Sequence, residues 1–164
     1  MKKLIAALLI AVMALTATVA FAEEYKGEDF TFTYDENVFE ITKDETDEDG
    51  HFVMLSAKEE AWGKTYVRFY VHPEQEDSPF GSVESIQELL PDIEVTQGEW
   101  NGFNDVIMYN DGEEQIFLVP LTTGDQMTVA ICVTEIEDEE AAMARDDQIS
   151  AVVDSLKVIA DAQG

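Results

Sequence analysis

The sequence predicts an α+β domain: a mostly antiparallel β-sheet sandwiched between helices, with a C-terminal helix packed on the sheet. Three observations lead there. Apolar runs at 106–109, 116–119 and 127–133 are separated by Asn110-Asp111-Gly112 and Thr122-Thr123-Gly124-Asp125, and Asp-Gly and Gly-Asp pairs suit tight hairpins because glycine accepts a positive φ. Within these runs Ile116 and Leu118 point one way and Phe117 and Val119 the other, and both sets are apolar. Such a strand needs cover on both faces. After Thr134 the period changes, with Ile149, Val152, Val153 and Leu156 on one face of an α-helix.

Taken in order, residues 1–22 read as a signal peptide. Lys2 and Lys3 form a short basic segment, residues 4–20 an uncharged apolar run, and Ala20-Phe21-Ala22 the small-x-small pattern that is cut after Ala22. The alternative is an uncleaved anchor, since the run approaches the length that spans a bilayer. No cysteine follows the run, which argues against a lipid anchor, and nothing downstream is long and apolar enough to be a span. The expected product is a secreted or extracytoplasmic protein, at the cell surface or in a periplasm, with residues 23–164 forming one globular domain. Its 142 residues are enough for a proper core.

Phe30-Thr31-Phe32-Thr33-Tyr34 has the period of a half-buried strand. Asp35-Glu36-Asn37 breaks it, and Val38-Phe39-Glu40-Ile41 resumes an extended pattern. The acidic segment from Asp44 to Gly50 reads as a hairpin loop leading into a strand over 51–57. Residues 58–64 are a polar connection. A strand over 66–71 follows, with Val67, Phe69 and Val71 on one face and Tyr66, Arg68 and Tyr70 on the other. Residues 72–81 hold two prolines and read as a loop. Ser82 N-caps a short helix that ends near Leu90, where Pro91 stops it. Residues 95–100 and 104–109 flank Asn101-Gly102, another hairpin signal that leads into the three-stranded meander. The helix formers at 138–144 precede the C-terminal stripe; one helix, or two joined near Arg145-Asp146-Asp147, fits equally.

The chain carries 36 acidic residues against 9 basic ones, a formal charge of −27. Losing Lys2 and Lys3 with the signal segment brings it to −29. Such a field repels nucleic acid and anionic lipid, whose binding needs lysine and arginine. It attracts cations and basic proteins, and it keeps an exported protein soluble. The single cysteine, Cys132, excludes an internal disulfide framework and reads as a small buried apolar side chain.

The segment Tyr25-x-x-x-x-Phe30-x-Phe32-x-Tyr34 with Val38-Phe39, the central hairpins, and the closing Ile149-x-x-Val152-Val153-x-Ser155-Leu156 resemble the PsbP-like domain family. Its members are related to the extrinsic oxygen-evolving subunit of photosynthesis and to a nuclear Ran-binding protein, and include many exported bacterial proteins. The resemblance covers nearly the whole of residues 23–164 and implies an antiparallel sheet between helices. It transfers no functional residue, because fold similarity alone does not carry function.

The acidic segment invites one sharp hypothesis. Calcium takes six to eight oxygen ligands, and Glu45, Asp47 and Asp49 followed by Gly50 mimic the opening of an EF-hand loop. The place of the closing acid is Ser56, and the flanks read as strands. The alternative is a solvated charged turn. His51 and His72, the only histidines, lie in no metal-ligand spacing, and neither a nucleophile elbow nor a phosphate-binding glycine loop is present. Trp62 and Trp100 lie beside turns, where they either line a recognition surface or pack at the edge of the core. The expected function is a non-catalytic binding or accessory module, with no cofactor beyond weakly held Ca2+. Its partner is an extracytoplasmic protein or cell-envelope component. The competitors are a weak calcium-binding module at 44–49 and, third, a small extracytoplasmic hydrolase.

Overall fold

A computed structural model describes residues 22–48, 50–71, 82–119 and 127–159. Its strands are β1 (Ala22–Lys26), β2 (Phe30–Asp35), β3 (Phe39–Asp47), β4 (Gly50–Ala57), β5 (Thr65–Val71), β6 (Thr96–Trp100), β7 (Phe103–Asn110), β8 (Gln115–Val119), β9 (Met127–Val133) and β10 (Lys157–Val158). The helices are α1 (Val83–Leu89) and α2 (Glu139–Asp154), with a 3-10 turn at Glu60–Trp62. The class is α+β, dominated by antiparallel sheet. A seven-stranded sheet runs β3-β4-β5-β9-β8-β7-β6, every neighbour antiparallel, and a three-stranded sheet runs β1-β2-β10.

The two-faced strands stand at the centre, where apolar side chains are wanted on both sides. On β9, Val129, Ile131 and Val133 enter one core, and Ala130 and Cys132 the other. The first core is the larger. Phe30, Phe32 and Tyr34 of β2 alternate inward as their spacing predicts, and Phe32 stacks on Phe69 of β5 at 4.4 Å between centroids. Ile149, Val152 and Val153 of α2 close it. Thr33 N donates to Ser155 Oγ at 2.8 Å, which ties the end of α2 to the small sheet. The second core gathers Ile86 of α1 with Val95, Ile107, Ile116, Leu118, Ala130 and Cys132.

Local signals explain most boundaries. Ser82 Oγ accepts from Ser85 N at 3.1 Å to cap α1, and the helix ends before Pro91, which disfavours helical geometry in the residue before it. The β6–β7 turn places Asn101 at φ 43° and Gly102 at φ 90°, the left-handed pair a two-residue hairpin requires. Asp138 caps α2 by accepting from Glu140 N and Ala141 N. That helix is continuous through Arg145, which is 6% exposed and donates from Nη1 to Thr134 O at 2.9 Å. It bolts the helix to the chain leaving β9.

One boundary differs from expectation. The acidic segment is strand rather than loop as far as Asp47, with Asp44 opposite Val53 and Thr46 opposite His51. β3 is an edge strand, so its outer side stays in water and its acids need no burial. The loop expected at 72–81 and the turn at 122–125 lie outside the described residues, as does the signal segment up to residue 21.

Phe69 is fully buried between Phe30 and Phe32. Phe69→Ala should therefore cost about 3–5 kcal/mol of unfolding free energy in urea titration. Leu89→Ala, at a side chain 60% exposed on α1, should stay within about 0.5 kcal/mol; a loss as large as that at Phe69 would mean the core is misplaced.

Candidate functional site

Two places bring chemically competent side chains together. The first is the half of the large sheet that α1 leaves open. In register across β4 and β5, Phe52 faces Tyr70, Met54 faces Arg68 and Ser56 faces Tyr66. All six are half-buried. β3 adds Lys43 beside Met54 and Glu45 beside Phe52. The pieces interlock: Phe52 and Tyr70 lie 4.7 Å apart, Lys43 Nζ stands 6.0 Å over the Phe52 ring, and the Arg68 guanidinium sits 4.7 Å over Tyr66. Guanidinium over an aromatic face is attractive through the ring quadrupole.

Arg68 Nη2 donates to Tyr66 Oη at 3.2 Å, and Tyr66 O–H donates to Glu114. Burial and the Glu114 carboxylate hold the Tyr66 phenol above the usual tyrosine range, so it remains a donor. Among the described residues no carboxylate lies within ion-pair distance of Arg68. A cleft of about 430 Å3 opens where β6 begins, lined by Glu94, Thr96, Tyr109, Asn110 and Gln115 among others.

The second place is the junction of the two sheets. His51 is 7% exposed, with Nδ1 2.8 Å from Asp29 Oδ2 and Nε2 3.0 Å from Asp44 Oδ1. Tyr25 Oη lies 3.2 Å from both His51 Nε2 and Asp44 Oδ2. Asp29 comes from the β1–β2 turn, Tyr25 from β1, Asp44 from β3 and His51 from β4. Gly27 backs the cluster: a Cβ there would stand 2.9 Å from the Tyr25 ring and 3.2 Å from His51 Cε1, so only glycine fits. Burial works against the His51 proton, but the two carboxylates more than offset it and raise the imidazole above its ordinary value. A hydrolytic histidine turns one nitrogen to a carboxylate and the other to a nucleophile. Here both nitrogens face carboxylates.

The residues singled out in the sequence lie elsewhere. Glu45 and Asp47 project from β3, and Asp49 is outside the described residues. Among the described residues no three His, Cys, Asp or Glu side chains are placed to hold a metal ion. Trp62 is 7% exposed and packs against Phe39, so it belongs to the core rather than to a recognition surface. Trp100 is half-buried on β6, 5.0 Å from the Phe117 ring. The signal that marks the junction is phase: His51 alternates with Val53 and Leu55, and a histidine in step with apolar residues points inward and needs partners.

Cys132 is 1% exposed and burial pushes its thiol up to about 11. In the native protein at pH 8 it should resist alkylating reagents and react only after denaturation; fast native labelling would show that the second core opens. Thermal melts in calcium and in magnesium at matched ionic strength should shift equally if the acidic segment is a solvated surface, and a calcium-specific rise would make it a metal site. A scan against protein-family models finds no family that matches this chain, and a search of curated proteins finds no match either.

Proposed function

We propose that the protein is an exported, non-catalytic binding module that takes a protein partner outside the cytoplasm on the open half of its large sheet. One observation supports this function above all. Phe52, Met54, Tyr66 and Tyr70 surround an arginine, Arg68, that has no carboxylate of its own among the described residues. Aromatic residues with arginine are the composition that carries binding energy at protein interfaces. The fitting partner presents an apolar segment with a carboxylate at its centre. Outside that contact it is neutral or basic, because the net charge of −27 governs long-range approach while the desolvated centre governs affinity.

Export fits the small sheet. Cleavage after Ala22 takes one residue from β1 and leaves Glu23 to Lys26 paired with β2. The PsbP-like sandwich is the architecture we infer, supported by α2 in one core and α1 in the other. Tyr25, Phe30, Phe32 and Tyr34, which carry the resemblance, form the inward face of the first hairpin.

Backbone NMR titration with two short peptides tests the proposal, one alternating phenylalanine with aspartate and one phenylalanine with lysine. The aspartate peptide should shift amides of β4 and β5 in the native protein and lose this effect in Arg68→Ala. If neither peptide moves β4 and β5, or only the lysine peptide binds and does so at Glu45 and Asp47, the open face is not the docking surface.

A further inference from the structure

His51 lies outside the docking face and reads a different ligand, the proton. A carboxylate oxygen only accepts hydrogen bonds. With Asp29 on Nδ1 at 2.8 Å and Asp44 on Nε2 at 3.0 Å, both contacts are hydrogen bonds at once when both ring nitrogens carry hydrogen. Imidazolium alone meets that condition. Neutral imidazole keeps one hydrogen and turns a lone pair towards the other acid. Nδ1 has the shorter contact and, among the described residues, no second donor beside it, so it keeps the hydrogen. Nε2 has an alternative partner: Tyr25 O–H is as close to Nε2 as to Asp44 Oδ2, 3.2 Å in each case.

We propose that His51 is a proton-operated latch between the β1–β2 hairpin and the β3–β4 edge, in which loss of the Nε2 proton swings the Tyr25 hydroxyl from Asp44 to His51 and releases Asp44. No covalent bond changes; the proton leaves to solvent and one hydrogen bond is re-aimed. In the charged state the imidazolium joins Asp29, in the turn after β1, to Asp44 on β3. In the neutral state Asp29 and Tyr25, both from the first hairpin, hold His51, and Asp44 is free.

Among the described residues, the titratable groups facing His51 are Asp29 from the β1–β2 turn, Asp44 from β3 and Tyr25 from β1. The other described neighbours are the Phe30 ring of β2 at 5.3 Å, Thr46 of β3 and Val71 of β5 opposite in register. Burial, then Asp44, holds the Tyr25 phenol above its usual range, so it is a donor on both sides of the transition. The sign of the pH effect follows. Because the folded imidazole is raised above its unfolded value of about 6.5, the stability it confers is complete below about pH 6.5 and is lost as pH rises through the folded midpoint.

Long-range 15N–1H spectra of the imidazole rings between pH 5 and 9 test the latch, with His72→Gln used to leave His51 as the one histidine. Below the midpoint both His51 nitrogens should be protonated. Above it the hydrogen should remain on Nδ1, Nε2 should show the shift of an accepting nitrogen, and the Asp44 carboxyl 13C signal should move with the same midpoint. Tyr25→Phe removes the donor that serves the neutral state and should raise the midpoint. Asp44→Asn, at an exposed side chain, should lower it. A midpoint at 6.5, a neutral ring carrying its hydrogen on Nε2, or a midpoint indifferent to Tyr25→Phe would each overturn the proposal.

Discussion

The structure depends on how two-faced central strands are covered. β8 and β9 bury apolar side chains on both sides, and each side must find a layer. The first side has ample cover: β2 lays Phe30 and Phe32 across Phe69, and the sixteen residues of α2 add Ile149, Val152 and Val153. The second side has α1, whose seven residues make a rod about 10 Å long. Seven strands at about 4.8 Å spacing span roughly 29 Å. So short a helix serves β7, β8 and β9, and its cluster reaches β5 at Tyr66. What β3, β4 and β5 carry on that side is accordingly mixed, Lys43, Met54, Arg68 and Phe52, a surface built to stand at the boundary of water.

Much of this was legible because it is local. The alternation of residues 30–34, the Asn101-Gly102 turn, the Ser82 cap and the opposition of Arg68 to Val67 and Phe69 all follow from periods of two or from a single turn type. β1 and β10 were not legible. β1 buries only Tyr25 of its five residues, and β10 has two residues that are strand because β2 lies beside them. The acidic segment was misread for a related reason: its composition says turn, while its place beside β4 makes it strand. The His51 cluster joins residues 22, 7 and 26 positions apart, and no spacing rule foretells which acid the topology delivers to an inward histidine.

Burying a cation is costly unless its partners repay the lost hydration. The junction meets that cost unevenly. The His51 side chain is 8% exposed, whereas Asp29 and Asp44 keep 44% and 49% of theirs in water. Only one of three charges is stripped of solvent, and it receives a hydrogen-bond acceptor at each nitrogen. A fully enclosed triad would pay for all three. The joint between two sheets is thus made by a charge that can be added or removed from outside without opening the core.

The acids beside Asp44 divide between the two faces of β3. Along a strand successive side chains alternate, so Asp44 turns to His51 while Glu45 turns to Phe52 on the opposite face. Glu45 and Asp47 share a side, but residues two apart on a strand are separated by roughly 6.6 Å. Calcium takes six to eight oxygens converging within about 2.6 Å of one point, so Glu45 and Asp47 would need oxygens from other residues to complete a site. What the same acids do well is guard an edge. β3 ends the large sheet, and charge along an edge strand deters another chain from pairing there. The alternation of the strand therefore puts Glu45 and Asp47 on one side of an edge strand and gives Asp44 to the histidine.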